Sequence, residues 1–88
     1  MEFIYLVEIQ EYPGPEPPNW KYYDISSIEQ NGRVKWVKTY TDIGRAVRCA
    51  FTIAKAHHVQ RVRFCRPLQS SVTCSISEVE VMLDYLGA

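Results

Sequence analysis

No apolar run in this chain approaches the roughly 18–20 residues that a helix needs to cross a bilayer, so no membrane span is expected. Paired cysteines are missing as well. Cys49, Cys65 and Cys74 are odd in number, lie far apart and form no C-x-x-C, which is unlike a disulfide framework. A zinc site would have to recruit His57 or His58 beside Cys49 and Cys65, without the close ligand spacing that structural zinc uses. The three thiols are therefore expected to be reduced and buried, with no metal and no cofactor. The sequence has no glycine-rich phosphate loop, no G-x-S-x-G and no RNP-like aromatic motif. Its carboxylates are scattered rather than paired. His57-His58 has neither a nucleophile nor a carboxylate at fixed spacing, and positive charge there suits the end of a helix. An enzyme is not expected. A basic n-region and a small-residue cleavage site are also lacking, and acidic Glu2 stands near the start, so the expected location is cytoplasmic.

What the chain does have is charge sorted by position. Residues 1–32 carry six acids against Lys21 alone, a net of −5. Residues 33–66 carry nine bases against Asp42, a net of +8, and residues 67–88 carry three acids and no base. The neutral total therefore conceals a dipolar molecule, whose field acts on partners rather than on the fold. Two explanations stand side by side. Either the blocks interleave on folding and merely solubilise the chain, or they present a charged surface to a partner. The 88 residues suit one domain with a modest core, and 47% apolar with 23% charged residues is ordinary for a globular chain.

Local patterns assign most of the elements. Glu2–Gln10 is apolar on both faces, as in a central strand. Tyr12–Asn19, with four prolines and Gly14, reads as a stiff loop that cannot pair. Trp20–Glu29 and Arg33–Tyr40 flank Asn31-Gly32, a strong hairpin signal. With Asn31 and Gly32 as the central turn residues, Gln30 faces Arg33, Ile28 faces Lys35 and Ser26 faces Val37. Thr41 or Asp42 caps a helix to about His57, whose apolar stripe includes Ala46, Val47, Ala50 and Ala54. Arg45, Arg48 and Lys55 line its opposite side. Val59–Cys65 alternates as a strand, and Ser71–Ile76 suggests a short fifth one. Ser77 and Glu80 fit a capping box for a helix over about 78–86 that Gly87 ends, although the same residues also read as a strand through Val81.

These elements predict an α+β two-layer sandwich: a mostly antiparallel sheet of four or five strands, the long helix over about 42–57, and a short C-terminal helix. The long helix is expected to cover Val34, Trp36, Tyr23, Val62 and Phe64. Trp20, Tyr22, Arg33, Lys35, Arg61 and Arg63 then fall on the other sheet face, with Arg45 and Arg48 as a second patch on the helix. Three fates are open to that face: covered core beneath the C-terminal helix, a protein-contact surface, or a stacking platform for RNA or single-stranded DNA. The expected function is a small non-enzymatic binding module, regulator or inhibitor. Its expected partner is a macromolecule, a protein before a nucleic acid, with homodimer formation left open.

Overall fold

The computed structural model describes residues 3–14 and 21–87. Its elements run β1 (Ile4–Pro13), β2 (Lys21–Glu29), β3 (Val34–Tyr40), α1 (Ile43–Ala56), β4 (Arg61–Cys65), β5 (Val72–Ser75) and α2 (Ile76–Leu86). The five strands form one sheet in the order β3-β2-β1-β4-β5. Neighbours pair antiparallel except β1 and β4, which run parallel. This is the expected α+β architecture, and β1 holds the central position that its two apolar faces implied.

One face of the sheet and both helices enclose the core. Val7, Ile9, Ile25 and Val62 lose essentially all solvent contact there, against Ala46, Val47 and Ala50 of α1 and Val79 of α2. The small alanines bring α1 close to the strands, and the residues on its outer side stay exposed. Asp42 caps α1, its Oδ2 accepting the Arg45 amide at 2.9 Å. The helix ends with His58 in the left-handed region at φ +57°, a position that usually belongs to glycine. The Val59 amide reaches back to the Ala54 carbonyl, and that of His58 to Lys55, which closes the last turn. The side chains of His57 and His58 are exposed.

Two expectations about element ends and one about cysteine burial are corrected. The reciprocal capping box of α2 uses Ser75 and Glu78 rather than Ser77 and Glu80, so the helix begins at Ile76. Either spacing satisfies the motif, and the end of β5 decides between them. Strand β1 continues through Tyr12 and Pro13, opposite Tyr22 and Lys21, where a loop was expected. The parallel partner β4 pairs with Val7–Gln10, so among the described residues no strand lies beside Pro13 on that edge, where a missing N–H costs no ladder bond. The thiols are free, but of the three only Cys74 is buried; Cys49 and Cys65 are half-exposed.

The hairpin correction matters most for function. The Gly32 amide bonds to the Glu29 carbonyl and the Glu29 amide to the Arg33 carbonyl, each at 2.9 Å. Gly32 alone in this turn has positive φ, +89°. The connection is therefore a three-residue loop, Gln30-Asn31-Gly32, rather than a two-residue turn. Ile28 faces Val34 and Ser26 faces Trp36, and a bulge at Val37 then restores the expected pairing of Tyr23 with Tyr40. Because side chains alternate with a period of two, Val34 and Trp36 lie opposite the helix side rather than beneath α1.

Candidate functional site: the open face of the sheet

Helix α2 packs on α1, β4 and β5, on the same side of the sheet as α1. Among the described residues no element covers the other face. Registers place Leu6, Glu8, Gln10, Tyr12, Tyr22, Asp24, Ile28, Val34, Trp36, Arg61 and Arg63 on it. Leu6 and Ile28 are buried partners across β1 and β2, yet stand outside the main core cluster. They form a separate apolar floor for this face.

Trp36 is the outstanding side chain. It is 60% exposed, beside Val34 at 59%. Its ring is nevertheless held in place. The indole N–H donates to Thr39 Oγ1 at 3.2 Å, and the Thr39 hydroxyl donates in turn to Asp24 Oδ1. Tyr12 donates its hydroxyl to the same carboxylate oxygen at 3.3 Å and packs on Tyr22, with ring centroids 5.6 Å apart. Burial first, and then the Asp24 charge, push the Tyr12 hydroxyl above its ordinary pKa, so it remains a donor. An exposed aromatic that is already immobilised loses less side-chain entropy on contact than a free one.

The charges on this face cancel. Arg63 donates through Nε to Glu8 Oε2 at 2.8 Å and through Nη2 to the same oxygen, a charge-assisted pair. That partner pushes the guanidinium pKa still higher. Arg61 is exposed, and Asp24 balances it in formal charge. The Cys65 thiol is pushed up, chiefly by burial and then by Glu8, so it stands protonated next to the pair.

The sequence-predicted residues therefore separate. Tyr22, Arg61 and Arg63 share the open face. Lys35 pairs with Ser27, on the helix side of edge strand β3, and Arg33 sits at the hairpin loop. Both are corrections that follow from the shifted register. Arg45 and Arg48 remain on the outer side of α1, both exposed. Trp20 lies outside the described residues. Sequence reasoning missed Trp36 and Val34 as surface residues. The signal was the adjacent apolar pair Trp36-Val37, which breaks strand alternation as a bulge does. Among the described residues no three or more His, Cys, Asp or Glu side chains group as metal ligands, and no helix is long and apolar enough to cross a membrane.

No family model matches the chain, and neither a curated protein nor a solved structure shows significant similarity to it.

Proposed function

We propose that this chain is a non-enzymatic binding module that acts by protein–protein contact through the open face of its sheet. The observation that carries this reading is Trp36, exposed yet hydrogen-bonded in place, on an apolar and charge-balanced surface. Trp, Tyr and Arg anchors of this kind dominate the energetics of protein interfaces. A nucleic-acid platform needs uncompensated cations near its aromatics. Here Glu8 occupies Arg63 and Lys35 lies on the other side of its strand, which leaves Arg61, on β4 and away from Trp36, as the unpaired cation among the described residues of this face. Occupying a partner's surface is the action of a regulator or inhibitor, and it requires no catalytic group.

Affinity capture from the native host, with the wild-type chain and Trp36→Ala as parallel baits, tests this. Each capture is run with and without nuclease. The expected result is one or more proteins retained by the wild type, insensitive to nuclease and lost with Trp36→Ala. Nuclease-sensitive capture, or direct RNA binding whose affinity falls log-linearly with salt, overturns the reading.

A further inference from the structure

A second surface lies on the helix side of the sheet, where strand β3 forms an edge. Between β3 and α1 runs a groove of about 420 Å³, lined by Val37, Tyr40, Cys49 and Ile53, with Arg45 and Arg48 among its walls. Among the described residues the strand beside it has an unpaired edge, because β3 is the terminal strand of the sheet. Antiparallel pairing alternates, and the Glu29–Arg33 bond sets its phase. Val34 and Trp36 fall at the non-bonded positions, so their amides and carbonyls point away from β2, out of the sheet.

The charged residues of β3 and of the groove lining are all basic, and Asp42 at the start of α1 is the acid nearest to them in the chain. Arg33, Lys35 and Lys38 lie on or next to β3, and Arg45 and Arg48 rise beside the groove. Among the described residues none of the five has an ion-pair partner within 4.0 Å. Lys38 instead sits over the Tyr40 ring, 5.2 Å from its centroid. Pairing two copies of β3 would set lysines and arginines against one another, which disfavours a dimer through this edge.

We infer that the β3 edge and its groove take an extended acidic segment of a partner protein. The segment adds as a sixth strand, with its backbone on Val34 and Trp36. An aliphatic side chain enters between Tyr40 and Ile53, and its carboxylates meet Arg45, Arg48 and Lys38. Strand addition of this kind draws affinity from main-chain bonds and specificity from the alternate side-chain sites. The inference goes beyond the open-face reading and stands apart from it, because the groove lies on the other side of the sheet.

The test selects binders from a random peptide library displayed against the wild-type chain and against Arg45→Glu/Arg48→Glu. Both arginines are exposed, and circular dichroism checks that the variant stays folded. The expected winners are acidic peptides with aliphatic residues at every second position, enriched at least tenfold on the wild type over the variant. A synthetic winner, added to labelled protein, should shift the amide resonances of residues 34–40 and 45–53 and slow exchange at Val34 and Trp36. Arg61→Ala, exposed on the open face and three strands away from β3, should change its affinity by less than about threefold, so failure here is separable from failure of the open face. Winners without acidic residues, equal enrichment on the charge-reversed variant, or shifts confined to residues 61–65 each overturn the inference. Binding of a single-stranded RNA oligomer that depends on Arg45 and Arg48, in place of peptide binding, overturns it too.

Discussion

Replacing Gly32 by alanine isolates the turn that sets the hairpin register. A Cβ at this position meets nothing within 4 Å, so no clash contributes, and the backbone angle of +89° carries the whole effect. Placing an L-residue in the left-handed region costs about 1–2 kcal/mol. The stiffer unfolded chain returns roughly 0.4–1 kcal/mol. A net loss of about 1 kcal/mol remains, which for a domain of this size lowers Tm by about 4–8 °C. Asn31→Ala removes one exposed contact, in which Asn31 Oδ1 accepts the Arg33 amide at 2.9 Å, and should cost about 0.5 kcal/mol. A two-residue type I′ turn makes a different demand, since it needs positive φ at both central residues. In that geometry the two alanine variants would lose about the same stability. Thermal and urea unfolding of both, followed by circular dichroism, separates the cases. Equal losses would refute the three-residue loop, and with it the placement of Val34 and Trp36 on the open face.

Other expectations follow from single sites. His58 holds the left-handed position at the end of α1, so His58→Gly should raise stability by about 0.5–1 kcal/mol, read as a higher Tm; a lower Tm contradicts the strain. Hydrogen bonds from Ser75, led by its backbone amide, hold the Glu78 carboxyl below its ordinary value of 4.5. Stability from this cap is therefore complete above the unfolded-state value and lost as pH falls through the lower folded one. The Tm gap between wild type and Glu78→Gln should be widest near neutrality and close in acid; a gap independent of pH contradicts the cap. Burial pushes the Cys74 thiol up, so timed maleimide labelling should reach Cys74 after Cys49 and Cys65. Labelling of all three at one rate contradicts its burial.

Much of the fold was legible because the dominant signals were local. The apolar stripe of α1, the alternation through Val62 and Phe64, and the two-sided apolar character of β1 each reported their own surroundings. Gly87 marked the end of α2 at φ +68° for the same reason. The candidate site was legible only in part. Tyr22, Arg61 and Arg63 follow from strand parity alone, whereas Trp36 depends on where a bulge falls. Asn31-Gly32 serves a two-residue turn or a three-residue loop equally well. Both put Tyr23 and Ile25 toward the core and Ile28 against Leu6, so β2 does not distinguish them; the difference falls on β3, where Val34 and Trp36 change faces and the bulge at Val37 returns Tyr40 to the core side. The charge blocks also behave in two ways. Glu8 and Arg63 join the acidic and basic blocks as interleaving would, but the bases along β3 and α1 stay unmatched among the described residues.

The open face as a protein-contact surface is tested most directly by photo-crosslinking from its centre. Trp36→benzoylphenylalanine places the reactive group there, and Glu80→benzoylphenylalanine, on the exposed side of α2, serves as the control. Both are irradiated in extract of the native host, treated with nuclease and resolved by mass. The account predicts a discrete protein adduct from position 36 that position 80 does not give. Adducts of equal yield from both positions, or a position-36 adduct that nuclease removes, would contradict it.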